Sequence, residues 1–216
     1  MVIRPANTKH IKNSALIGII LGDGSMQKEN SLYIRHGGKQ LDYVDEKVNY
    51  LEKYIIPKSI RTCIDRKGFV YRYAYYNDEK LKHLYNLIYK NNKNKLRKSI
   101  TSSILNRFTE ISLAFFYMDD GCLSLRKYKD KNGVWKGTYK SREIHLNIQS
   151  FNFHEAEMFK NMLKRKFDVE FRMTTDKGNP RIWCNTKNTK KFIDIVSPIV
   201  SQFLTMQYKL DLKYNT

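Results

Sequence analysis

Two short stretches of the chain are apolar almost without interruption and then stop on an acid and a glycine. They are "LIGIILGDG", Leu16 to Gly24, and "LAFFYMDDG", Leu113 to Gly121. Neither has the polar face of a surface helix, so both predict helices buried nearly all round. The pattern around them repeats. The spacing from Asp23 to Lys98 and that from Asp120 to Lys209 differ by 14 residues, and so do the spacings to "NDEKLKHLYNLI" and "NTKKFIDIVSPI". The spacings to the turn glycines Gly68 and Gly178 differ by 13. One insertion accounts for all three, and "LRKYKDKNGVWKGTYK", Leu125 to Lys140, is a polar stretch with no counterpart in the first half. The chain reads as two copies of one unit, the second with a longer loop.

Each unit drafts as αββαββα. After the apolar helix come two strands, about Ser25–Met26 with Leu32–His36 in the first copy and Cys122–Leu125 with Arg142–Ser150 in the second. An amphipathic helix follows, carried by Val44, Val48 and Leu51, or by Phe159 and Met162. Next is a hairpin turning at "RKG" or "DKGNP", and a last helix holding Leu81, Leu84 and Ile88, or Phe192, Ile195 and Ile199. The polar, basic run Asn91–Ser99 reads as a connection. The expected division is a first repeat over 1–90, a linker over 91–107 and a second repeat over 108–216. Alternation in the strands sets Ile60, Ile64, Ile144, Leu146, Ile148, Ile182 and Cys184 toward helices. It leaves Arg61, His145, Asn147, Gln149, Arg172, Arg181 and Trp183 on an exposed sheet face, a set suited to reading base edges and stacking.

Charge sharpens this picture. The 216 residues carry 40 Lys+Arg against 21 Asp+Glu, a net +19, which points to a polyanionic partner. Three scattered cysteines, with no paired spacing, suit reduced thiols and an intracellular setting. The five histidines have no zinc-site spacing. No run is long enough for a membrane span, and the first residues do not read as a signal peptide.

The acids then need a role. A helix that is apolar all round is naturally buried against its own copy, and Ser14, Gly18 and Gly22 form a small-residue stripe for close approach. Side by side, the two helices bring Asp23 and Asp120 together. A carboxylate at a helix C-terminus is disfavoured by the dipole, and two close carboxylates repel. A hard divalent cation such as Mg²⁺ relieves both, and metals between paired acids are how nucleases stabilise charge at a scissile phosphate.

The two stretches, the layout around them and "MQYKL" at Met206–Leu210 resemble the LAGLIDADG homing endonucleases in their single-chain, two-motif form. The resemblance covers roughly Ala15 to Leu212. It implies a pseudo-twofold α+β fold in which two antiparallel, four-stranded sheets form a DNA-binding saddle and the signature helices meet at the interface. It implies a monomer that hydrolyses one phosphodiester per strand of a long, partly symmetric duplex, with two or three Mg²⁺ ions. In the family, the acid before each final glycine binds metal, which gives Asp23 and Asp120, with Gly22 and Asp119 beside them. Lys98 and Lys209 match the basic residue near each site, with Arg97 as competitor to Lys98. Gln149 and Asn147 match a polar stretch near the second site. Arg35, Arg72, Lys127, Lys136 and Lys140 join the expected DNA contacts. Phe115 departs from the small residue at Gly18, which puts the helix spacing in question. The alternative reading is an intron maturase, with intron RNA as partner, or a DNA-binding regulator that does not cut.

Overall fold

The computed structural model describes residues 8–92 and 95–212, with the side chains of 8–12, 92, 95, 126–129 and 135–141 outside the description. The first half runs α1 (Thr8–Leu21), β1 (Ser31–Gly37), α2 (Leu41–Leu51), β2 (Ser59–Ile64), β3 (Val70–Asn77) and α3 (Lys82–Ile88). A hairpin of β4 (Tyr89–Asn92) and β5 (Lys95–Lys98) and a short α4 (Ser102–Arg107) lead to α5 (Glu110–Asp120). Then come β6 (Gly121–Lys129), β7 (Trp135–Asn147), α6 (Phe153–Phe167), β8 (Arg172–Asp176), β9 (Asn179–Cys184) and α7 (Thr186–Val200). A 3-10 helix spans Leu204–Leu210.

The apolar helices α1 and α5 pack on each other at the centre. A Cβ at Gly18 would stand 2.4 Å from the Ser112 carbonyl oxygen and 2.8 Å from the Phe115 Cβ. Gly18 therefore sets how close the backbones come, and the Ser112 hydroxyl donates across the seam to the Ser14 carbonyl at 2.7 Å. Phe115 does not push the helices apart. Its ring turns away, edge-on to Tyr50 of α2 and to Phe203. Phe116 meets Phe159 of α6, and Tyr117 meets Phe192 of α7. Three consecutive aromatics face three different elements, which is why α5 has no polar side.

The fold is α+β with antiparallel sheets in each half. The second sheet has four strands, in the order β6-β7-β9-β8. The first has three, β1-β3-β2, and the expected fourth strand is only a bridge between Ser25 and Tyr33. In the first half the chain reaches that bridge through a tight turn, whereas Gly121 continues directly into β6. The stretch Leu125–Lys140 is a long hairpin rather than a loop, with Lys127 opposite Thr138 and Lys129 opposite Trp135. The stretch expected to be a plain linker holds the β4–β5 hairpin and α4. Ile60 and Ile64 are not in the core. β2 is an edge strand, and they are 38% and 69% exposed. On α7 the buried residues include Phe192, Ile193, Val196 and Val200, with Ile195 and Ile199 at the margin of the core. Gly68 and Gly178, at the hairpin turns, both take positive φ, where a side chain is strained.

Gly18→Ala adds a methyl group that cannot fit without moving the Ser112 backbone. It is expected to destabilise the protein by about 1–3 kcal/mol despite the better helix propensity of alanine, as read from the midpoint of urea unfolding. A neutral or stabilising result would mean that the helix seam is looser than described.

Candidate active site

Both signature helices end at one place, and each end is held by a lysine. Lys98 Nζ donates to the Gly22 carbonyl at the end of α1, at 2.6 Å. Lys209 Nζ donates to the carbonyls of Tyr117 (3.2 Å), Met118 and Gly121 (3.0 Å) at the end of α5. The Tyr117 hydroxyl donates back to the Lys209 carbonyl at 2.8 Å. These ammonium groups meet the carbonyls that a helix leaves unpaired and oppose the negative end of its dipole. That arrangement makes two acids at the same helix ends tolerable.

The third acid sits between them. The Asp119 side chain is wholly buried, and its carboxylate would stand 2.7 Å from a Cβ at Gly22. It accepts from Lys47 Nζ at 2.6 Å, the Tyr43 hydroxyl at 3.0 Å and the Asp23 backbone N–H at 3.1 Å. Lys47 is itself buried and also faces His36 Nε2 at 2.9 Å. An ammonium has only protons to offer, so Nε2 is the acceptor and the ring proton belongs on Nδ1, 3.7 Å from Asp23 Oδ2. Burial, then the neighbouring Lys47 charge, push the His36 pKa down to about 3, so the ring is neutral. One carboxylate oxygen each of Asp23 and Asp119 and a nitrogen of His36 lie within 4.8 Å of one another, a spacing a metal ion could use. Three donors already occupy Asp119, however, which suits it better to holding the Asp23 backbone than to binding an ion.

Asp23 and Asp120 have the opposite character. The Asp23 side chain is 44% exposed, and Asp120 is half-buried. Burial pushes the Asp120 carboxyl up to about 7, helped by the charges of Asp23 and Asp119 and opposed by Lys98 and Lys209. Asp23 is raised for the same reasons, burial first and then Asp119. Burial also lowers the pKa of both Lys98 and Lys209 against the pull of the carboxylates. Two hard oxygen ligands that resist ionising together are a fitting donor set for a divalent cation.

Flanking this centre are two sheet faces. On the first, strand pairing sets Tyr33, Arg35, Arg61, Tyr71, Tyr73 and Tyr75 side by side. The Tyr33 and Tyr75 rings are 4.6 Å apart, and the Arg35 guanidinium lies 5.1 Å from the centre of the Tyr71 ring. A cleft of about 580 Å³ joins Asp23 to Tyr33, Arg35, Tyr71 and Tyr73. On the second face His145 pairs with Trp183 and Asn147 with Arg181, and Arg172 lies over the Trp183 ring at 5.6 Å.

The likeness to known proteins extends over most of the chain, for residues 13–192, with both helix ends inside, match the LAGLIDADG DNA endonuclease family. This chain belongs to that family. A Wickerhamomyces canadensis protein named "Probable intron-encoded endonuclease 1" is 26% identical over 93% of this chain and 84% of its own length. "Probable intron-encoded DNA endonuclease 3" of Mycosarcoma maydis is 28% identical over 60% of this chain and 85% of its own length. The homing endonuclease I-WcaI, solved bound to its DNA recognition sequence, shares the fold, with a TM-score of 0.74 at 23% identity over 99% of this chain and 97% of that one. Among the described residues no helix is long and apolar enough to cross a membrane.

Within this LAGLIDADG fold the anticipated residues divide. Lys98, not Arg97, reaches the helix ends. Arg97 instead donates to Glu155 Oε2 at 2.9 Å. Gly22 offers its carbonyl, which Lys98 already uses. Gln149 donates to Asp176 Oδ2 at 3.2 Å, at the tip of β8. Arg72 is not on the exposed face. It alternates with Tyr71 and Tyr73, points to the helix side, and binds Asp45 of α2 at 2.8 Å. The side chains of Lys127, Lys136 and Lys140 lie outside the described residues. Sequence reasoning missed the tyrosine face, although "YRYAYY" spells it at alternate positions 71, 73 and 75. It also missed Tyr43 and Lys47, whose one-turn spacing on α2 was the available signal.

Lys47→Met leaves Asp119 buried without its counter-charge and is expected to cost about 3–5 kcal/mol. Adding Asp119→Leu should return much of that loss in urea unfolding. If the double variant is no more stable than the single, the pair is not the coupled unit described.

Because the folded-state pKa of Asp120 lies above its unfolded value, protonation favours the fold. That contribution is full below about pH 4, falls as pH rises toward about 7 and is then lost. In EDTA, wild type should lose about 2–3 kcal/mol relative to Asp120→Asn between about pH 5 and about pH 8. Parallel stability curves for the two proteins would refute the shift.

Proposed function

We propose that this chain is a site-specific homing endonuclease that makes double-strand breaks in a long, partly symmetric DNA duplex by metal-dependent hydrolysis. One observation carries the reading. Asp23 and Asp120 stand at the joined ends of α1 and α5, between two sheet faces rich in Arg, Tyr and Trp. A single chain supplies both halves, repeats 1–90 and 108–216 bridged by 91–107, so it acts as a monomer. The two faces differ in their side chains, so the two half-sites should differ in sequence.

Asp23 and Asp120 would hold the divalent ions, with Mg²⁺ the expected species. The bound ions would make water a stronger nucleophile and neutralise charge on the phosphate. The protein's own part is positional and electrostatic. Lys98 and Lys209 place positive charge beside the reacting phosphates and fix the two helix ends. Asp119 holds the Asp23 backbone through its N–H. In each hydrolysis a water oxygen bonds to phosphorus, one P–O ester bond breaks, and the leaving oxygen takes a proton. Arg35, Arg61, Tyr33 and Tyr73 would meet one half-site. His145, Asn147, Arg172, Arg181 and Trp183 would meet the other, and the hairpin bearing Lys127, Lys136 and Lys140 would lie along the backbone. Gln149 would act near the second site by ordering the β8 tip.

The test is a cleavage assay on randomised duplexes with Mg²⁺, with Ca²⁺ or in EDTA. Wild type should cut one long sequence with Mg²⁺ and none in EDTA. Asp23→Asn and Asp120→Asn should each lower double-strand cleavage by at least about a hundredfold while retaining binding. Tight binding without cutting in any metal would favour the maturase or regulator reading instead.

A further inference from the structure

The two lysines at the helix ends sit on segments outside the helices they serve, so something must hold those segments in place. Lys209 lies on the 3-10 helix Leu204–Leu210. The start of that helix is tied to α2 in the other half of the chain: the Thr205 backbone N–H donates to Glu46 Oε1 at 3.2 Å, and the Thr205 hydroxyl donates to Glu46 Oε2. Lys98 ends β5, in the connection between the halves, and the chain just beyond it is tied to α6 of the second half. The Ile100 N–H donates to Glu155 Oε1 at 3.1 Å, and Arg97 donates to Glu155 Oε2 at 2.9 Å.

We propose that Glu46 and Glu155 are crossed positioning residues. Glu46, from the first half, sets Lys209 and through it the α5 end that carries Asp120. Glu155, from the second half, sets Lys98 and through it the α1 end that carries Asp23. The two carboxylates occupy different places on their helices, Glu46 in the middle of α2 and Glu155 in the first turn of α6. They are therefore two separate solutions to one need rather than a copied contact. The need is physical. A lysine on a free segment would lose its ordering against solvent, because holding a long side chain on a helix end costs conformational entropy. A carboxylate taking two donors from the segment fixes its backbone before the lysine is placed. The consequence is that each half controls the site nearest the other half's signature helix, so neither site is fully formed until both halves have docked.

The inference rests on the nuclease reading, and its experiment separates the two. The probe is the duplex that wild type selects from the randomised library, labelled on both strands, with the nicking rate of each strand measured separately. Glu46→Ala should slow one strand by about tenfold or more relative to the other, the strand that Lys209→Met also slows. Glu155→Gln should slow the opposite strand, as Lys98→Met does. Glu155 also closes the α6 capping box with Asn152, so Arg97→Met, which leaves that box intact, should shift the ratio in the same direction. Thr205→Val should give a milder form of the Glu46→Ala bias. General loss of stability slows both strands alike and leaves the ratio unchanged. That result, or the same strand slowed by both glutamate variants, would overturn the proposal. A second arm needs no cleavage: amide exchange over residues 204–210 should quicken in Glu46→Ala, and unchanged exchange would overturn the proposal too. A wild type that cuts no duplex would bring down the nuclease reading, and the exchange arm would still decide whether Glu46 holds the Lys209 segment.

Discussion

The close approach of α1 and α5 is the constraint on which the rest depends. Gly18 lets the Ser112 carbonyl stand where a side chain would otherwise be, and Gly22 lets the Asp119 carboxylate do the same one turn later. Once the helices are that close, their C-terminal ends coincide. Three carboxylates and the negative ends of two helix dipoles then share one small region, an arrangement that would be unstable if left alone. Lys47, Lys98 and Lys209 answer it, each buried or nearly so and each bonded to a helix end or to Asp119. The same proximity that costs electrostatic energy holds the carboxyls of Asp23 and Asp120 above their ordinary pKa, because burial and the neighbouring acids outweigh the lysines.

The two halves meet this constraint differently. The position before the catalytic-type acid is Gly22 in one motif and Asp119 in the other. The extra carboxylate recruits Tyr43, Lys47 and the Asp23 N–H, with His36 held neutral beside Lys47. The second half has the longer β6–β7 hairpin and a complete four-stranded sheet, and the first has three strands and a tyrosine-rich face. Lys209 donates to three carbonyls, whereas Lys98 is seen bonded to one. Two halves of one plan thereby present unlike helix ends and unlike sheet faces around one seam.

Much of the architecture was legible in the chain. The repeat offsets, the two apolar helices ending on acids and the alternation in "EIHLNIQS" follow from periodicity, and periodicity is local. What misled was also local. Alternation in β2 is the same whether the strand is central or at an edge, so Ile60 and Ile64 read as core although the sheet ends there. Arg72 looked like its neighbours in composition, but its register turned it toward Asp45. Polar content made Leu125–Lys140 read as a loop, because a hairpin whose cross-strand pairs are polar has no hydrophobic period to reveal it.

By itself the sequence determined the repeated pattern, the two buried signature helices, the acid that ends each of them and the net charge of +19. Each of these is written in spacing, glycine placement or charge, quantities that do not depend on what lies across the fold. Only the tertiary structure decided that Lys98 and not Arg97 reaches the helix ends, that Asp119 is a buried scaffold bonded to Lys47, and that Glu46 and Glu155 hold the lysine-bearing segments. Those facts concern which of many similar charged groups meet, and 40 basic side chains offer far more pairings than sequence spacing can rank. The choice falls to packing, because a buried charge persists only where partners from distant parts of the chain are brought within bonding distance.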